Sequence, residues 1–155
     1  MPELLLRTKA VLEDCSRHLG ASNAFGSEIE SYLTQYLLVV LSADIQQEIY
    51  RVCDTRAAMA CDDCLTSFVS LTSRRVLRSV KKDEIVGFAA LFGDAPKQKL
   101  NNLIGDSEVT AFNNAILSRH DVAHKLGTQI TFDEFRKAVI IAEKILASFE
   151  QCLAK

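Results

Sequence analysis

A chain of 155 residues and 17.2 kDa has room for one compact domain around one core, which excludes a multidomain machine. With 48% hydrophobic and 25% charged residues, and only six Gly and two Pro, it is too apolar and too poor in breakers to remain disordered. The formal net charge of −2, from 18 Lys and Arg against 20 Asp and Glu, argues against a wholly cationic nucleic-acid coat but leaves room for a local basic groove.

Leu4, Val11, Leu12, Cys15 and Leu19 mark one face of a first helix, with Gly20 placed to end it in a left-handed cap. Ser27 followed by Glu30 has the form of a capping box. It opens a second helix of about 30 residues, whose apolar positions are Ile29, Leu33, Leu37, Val40, Leu41, Ile45, Ile49 and Val52. Residues 62–80, 82–92, 95–104 and 107–126 read as shorter helices, punctuated by Gly93 with Pro96, by Gly105 and by Gly127. The last helix has the clearest period: Phe132, Phe135, Val139, Ala142, Leu146, Phe149 and Leu153 recur at steps of three and four behind a second box, Thr131 with Glu134. No segment alternates with the two-residue period of a half-buried strand, so the expected fold is an all-α, up-and-down helical bundle with additional short helices, in one domain over residues 1–155.

Charges interrupt the apolar stretches too often for a membrane span, and MPELLLRTKAVLEDC has no uninterrupted signal-peptide core, so a cytoplasmic protein without membrane contact is expected. Cysteines at 15, 53, 61, 64 and 152 are odd in number and read as reduced thiols.

Two of the three histidines fall within Arg119-His120-Asp121-Val122-Ala123-His124, which Lys125 follows. On a helix His120 and His124 lie about 40° apart and Arg119 and His124 about 140° apart. Arg119 and His124 therefore share one site only if the helix deforms towards Gly127, if the guanidinium arm wraps round, or if one of the two comes from a second chain. Three readings compete. The cluster can be the polar last turn of a surface helix, where cationic side chains suit the negative helix end. It can be a metal site, with His120 and His124 joined by Asp121 or by Cys61 and Cys64; but a Cys-x-x-Cys about 55 residues upstream is not a zinc-finger spacing. It can also be acid–base chemistry on phosphate, since an imidazole exchanges protons near neutral pH and a guanidinium suits a phosphate oxyanion. RNA cleavage needs little more: removal of the 2′-hydroxyl proton, attack of the 2′-oxygen on phosphorus, and protonation of the leaving 5′-oxygen, with neither metal nor cofactor.

Arg119 through His124 resembles the R-x4-6-H motif of the HEPN superfamily. The stretch SEIESYLTQYLLVVLSADIQQEIYRVC is similar to the early helix of its RiboL-PSP-HEPN subgroup. Likewise, ILSRHDVAHKLGTQITFDEFRKAVIIAEKILASFEQCL follows the subgroup's order of motif helix, short turn and Thr-capped final helix. The likeness covers about residues 25–153 and is densest from 107 onward. It implies a metal-independent endoribonuclease, giving 2′,3′-cyclic phosphate and 5′-hydroxyl ends, in a toxin–antitoxin or defence setting. In that reading Arg119 holds the scissile phosphate and His124 is the general base or acid. His120, where the family most often has Asn, assists, and Asp121 and Lys125 position the substrate. The resemblance also implies a homodimer with a composite active site and an antitoxin partner. The alternative reading is a catalytically inactive HEPN-like module for interaction or nucleotide binding.

Arg74, Arg78, Lys81 and Lys82 fall on one helical side if the helix over 62–80 continues that far, a stripe with Arg75 beside it that could follow an RNA backbone; the other reading is a solvated face. Asp44 with Glu48 and Asp62 with Asp63 read as polar surface or as partners for Arg51 and Arg56. Cys61 and Cys64 lack the βαβ context of a thioredoxin-like pair.

Overall fold

The computed structural model describes residues 3–103, 105–121 and 130–153, the side chains of 119–121 excepted. Among these residues every regular element is helical: α1 (Leu6–Ala21), α2 (Glu28–Ala58), α3 (Asp63–Val76), α4 (Lys82–Ala89), α5 (Asp94–Asn101), α6 (Asp106–Asp121) and α7 (Phe132–Leu153), with one 3₁₀ turn, Ala90–Phe92, continuing α4. The all-α expectation holds, and no described helix is long and apolar enough to cross a membrane.

The long helices form where period and caps coincide. In α2, 31 residues or about 46 Å, the Ser27 hydroxyl accepts from the Ile29 N–H at 3.2 Å. The seven apolar positions read from the sequence of α7 are all buried. At its start the capping box is complete: the Glu134 N–H donates to Thr131 Oγ1 at 3.2 Å, and the Thr131 N–H donates to Glu134 Oε2 at 2.7 Å. One contiguous core collects side chains from α1, α2, α4, α5, α6 and α7, with Phe112, Phe135 and Phe149 fully enclosed. Cross-links set the directions. Lys9 pairs with Glu143 and Arg136 with Ser16, so α1 runs against α7. Lys144 pairs with Glu108, so α6 also opposes α7, whereas Glu30 meets Phe132 and Arg51 meets Glu150, so α2 and α7 run parallel.

Two boundaries differ from the sequence reading. Gly20 lies inside α1, which continues to Ala21; Ser22 closes it by returning its N–H and its hydroxyl to the His18 carbonyl, and the left-handed residue is Asn23 at φ 50°. The helix expected over 62–80 stops at Val76, because Leu77 and Val80 turn into the core. The Leu77 carbonyl takes its hydrogen bonds from α2, Gln46 Nε2 at 3.0 Å and the Tyr50 hydroxyl at 3.4 Å, in place of a helical partner.

Candidate active cleft at one end of the bundle

Antiparallel packing gathers four helix ends at one pole of the molecule: the last turn of α1, the start of α2, the end of α6 and the start of α7. Phe25, between α1 and α2, packs edge-on against Phe132 with ring centroids 5.9 Å apart. The Arg136 guanidinium lies over the Phe132 ring at 5.0 Å and donates to Ser16 Oγ at 2.9 Å. Glu30 joins the two parallel helices, accepting from the Gly26 N–H at 2.6 Å through Oε2 and from the Phe132 N–H at 3.2 Å through Oε1. The box predicted at Ser27 is thus redirected: Glu30 reaches one residue past the cap and, at the same time, serves the exposed N-terminus of α7.

Beside this anchor, between α6 and α7, runs a groove of about 360 Å³ lined by Ala111, Asn114, Leu117, Ser118, Ile130, Glu134 and Lys137. Its lining mixes apolar side chains, Ala111, Leu117 and Ile130, with an amide, a hydroxyl, a carboxylate and an ammonium group. Ser118 is buried and spends its hydroxyl proton on the Asn114 carbonyl at 2.8 Å. The next residue along the helix is Arg119. The helical backbone of α6 carries Arg119, His120 and Asp121 in its final turn, directly after the groove-lining Ser118. His124 and Lys125 lie outside the described residues, as do Val122, Ala123 and Gly127 and the side chains of Arg119, His120 and Asp121. Asn114, Ser118 and Lys137 were not singled out from sequence. A polar residue on a helix carries no signal of its own until the neighbouring helix supplies the opposite wall.

The basic stripe does not form on one helical side. With α3 ended at Val76, Arg74 stands on that helix, Arg78 in the extended link, Lys81 at the cap of α4 and Lys82 in its first turn. Arg74 is engaged within the fold. It pairs with Asp54 at 2.9 Å, donates to the Ser70 carbonyl at 2.8 Å, and covers the Tyr50 ring at 5.0 Å. The Asp54 carboxyl is held below the usual carboxylate range, first of all by its hydrogen bond from Arg74. Lys82 is buried, with Nζ 3.3 Å from Asn101 Oδ1, while Arg75 and Arg78 are exposed. Asp54 lies 24 residues beyond Glu30 on α2, about 36 Å along the axis, so Arg74 is remote from the pole that carries Arg119.

The remaining candidates resolve into local structure. Glu48 pairs with Arg51, which also reaches Glu150 at 3.1 Å. Asp44 accepts from both the N–H and the hydroxyl of Thr8, at 2.8 and 2.7 Å, and so satisfies the first turn of α1 across the helix interface. Asp62 caps α3 through the Leu65 N–H at 3.0 Å. Cys61 and Cys64 are exposed. Among the described residues no group of three His, Cys, Asp or Glu side chains converges on a metal-sized point.

Comparison of the chain with family models, with curated proteins and with solved structures gives no match.

Proposed function

We propose that the protein is a metal-independent endoribonuclease of HEPN type, acting in the cytoplasm in a toxin–antitoxin or defence setting, with RNA as substrate and an antitoxin as partner. The observation that carries this reading is the position of the Arg119-to-His124 sequence: it begins in the last turn of α6, beside a groove large enough for part of a nucleotide and next to the capped start of α7. A guanidinium at this pole would bind the scissile phosphate. His124 takes the proton of the ribose 2′-hydroxyl; the 2′-oxygen bonds to phosphorus; the bond from phosphorus to the 5′-oxygen breaks; and an acid returns a proton to that oxygen. One proton is removed and one delivered, so the reaction needs no external reactant. His120 assists the transfer. Asp121 and Lys125 orient the strand, and two copies of the chain share the cleft, which answers the 140° between Arg119 and His124 on an unbroken helix.

The test is cleavage of mixed RNA by purified protein in EDTA, with product ends analysed. Expected are 2′,3′-cyclic phosphate and 5′-hydroxyl termini, lost at least about a hundredfold in Arg119→Ala and in His124→Ala. Cleavage that stops on chelation, or that survives His124→Ala undiminished, overturns the mechanism. Absence of cleavage with retained RNA or nucleotide binding would favour the non-catalytic module.

A further inference from the structure

The groove between α6 and α7 is lined at helical steps from both sides: Ala111, Asn114 and Leu117 recur every three residues on α6, and Glu134 and Lys137 do the same on α7. Its volume of about 360 Å³ holds a flat two-ring base, and Ala111, Leu117 and Ile130 offer apolar surface to the face of such a ring. Two polar groups on its walls are still open to a ligand. The Asn114 side-chain amide has no hydrogen-bond partner among the described residues; it is the backbone carbonyl of Asn114 that takes the Ser118 hydroxyl. Glu134 spends one oxygen, Oε2, on the N–H and the hydroxyl of Thr131, at 2.7 and 3.0 Å. Its other oxygen, Oε1, is free among the described residues. Past Ala111 and Lys137 a second hollow of about 270 Å³ continues along the same helix pair to Glu108 and Ile140, so Lys137 stands where the two meet.

We infer that this groove is a base-binding subsite selective for purines over uracil, occupied by one of the two nucleotides that flank the scissile phosphate, with Asn114 and Glu134 as the residues that choose. The inference rests on the ribonuclease reading above for its substrate and adds which bases the site accepts. An amide sets a donor beside an acceptor and pairs through two contacts with a base edge of the complementary order. Such edges occur on every base, so Asn114 gives affinity and leaves the choice to its neighbour. The open Glu134 oxygen only accepts, and therefore requires a further N–H on that edge. Adenine supplies it from the second hydrogen of its amino group, and guanine from its amino group beside the ring N–H. Uracil has a single ring N–H between two carbonyl oxygens; once the amide has taken the N–H and one carbonyl, the other carbonyl is left to the carboxylate, acceptor against acceptor. Cytosine has an amino group but one ring, covers less of the apolar lining, and falls between. Along the axis α6 rises about 7.5 Å from Asn114 to Arg119, the reach of one nucleotide. Lys137, at the junction of the two hollows, is placed for the phosphate that leads the strand onward.

The test titrates the isotope-labelled full chain by NMR with the 3′- and 5′-monophosphates of adenosine, guanosine, cytidine and uridine, and maps the sequence around the sites at which mixed RNA is cut. Expected are shifts of the Asn114 side-chain amide and of the Lys137 backbone amide, purine nucleotides bound at least about tenfold more tightly than uridine nucleotides, and a purine at one position flanking the cut. Asn114→Ala should weaken the purine nucleotides by about tenfold or more. Glu134→Gln keeps an oxygen for Thr131 and gains an N–H for a carbonyl, so it should bring the ratio of purine to uracil affinity towards one, a change that loss of the helix cap alone would not produce. Lys137→Ala should weaken all the nucleotides alike. Equal affinity for purine and uridine nucleotides, shifts that avoid the groove, or a ratio that Glu134→Gln leaves unchanged overturns the inference. RNA cut with no purine preference at either flanking position removes the subsite and leaves the ribonuclease reading standing. Purine nucleotides selected in the groove by a chain that cuts no RNA do the reverse.

Discussion

Glu30, in the first turn of α2, accepts a hydrogen bond from the backbone N–H of Phe132, the first residue of α7, at 3.2 Å across 102 positions of sequence. One carboxylate thereby serves the N-termini of two parallel helices, since its other oxygen holds the Gly26 N–H at 2.6 Å. Replacing it by Ala leaves two donors to water and should lower stability by about 1–2 kcal/mol, a fall in Tm of roughly 2–8 °C. Glu30→Gln, which keeps one acceptor oxygen, should lose less, and amide exchange at Phe132 should quicken in both.

Lys137 lines the groove beside the end of α6. On the proposed reaction, Lys137→Ala should weaken RNA binding several-fold and lower the salt dependence of binding by about one phosphate contact. Arg74→Ala should leave cleavage unchanged, because that guanidinium is held by Asp54 and Tyr50 at the far part of α2. Filter binding at graded salt separates the two variants.

Burial pushes the Cys53 thiol from its ordinary 9.0 up to about 11. The raised value means that the folded chain keeps a proton which the unfolded chain releases. The associated stability is complete below pH ~9 and is lost as pH rises towards the folded value, by of the order of 2–3 kcal/mol in all. Urea titrations between pH 8 and 11 (about the span from the free to the folded thiol) should show this decline, and Cys53→Ala should flatten it. At neutral pH a thiol reagent should modify Cys61 and Cys64 promptly and reach Cys15 and Cys53 only on unfolding.

Phe149 is fully buried and stacks on Phe88 with centroids 6.2 Å apart. Phe149→Ala should cost about 3–5 kcal/mol, measured by urea unfolding. Arg74→Ala removes a half-exposed ion pair and should cost much less than Phe149→Ala in the same measurement. The lowered Asp54 carboxyl makes the benefit of that pair present above the ordinary carboxylate range and lost as pH falls through the folded value.

The sequence by itself determined the helices whose period and caps agree. α7, with its Thr131 and Glu134 box and its row of buried residues, and the length of α2 depend on neighbours three or four positions away, and such information is local. It also made the Arg119-to-His124 cluster conspicuous. Tertiary structure decided what depends on distant partners. Whether α3 continued past Val76 turned on Leu77 and Val80 entering the core and on Gln46 and Tyr50 receiving the freed carbonyl, and with that stop the basic stripe lost its helix. Glu30 reads locally as half of a capping box; only the arrival of α7 gives it a second donor. Tyr32 and Tyr50 look alike in sequence, and what separates them is a helix that covers one and stops short of the other. Burial belongs to pairs of surfaces, so it is settled where the chain returns to meet itself.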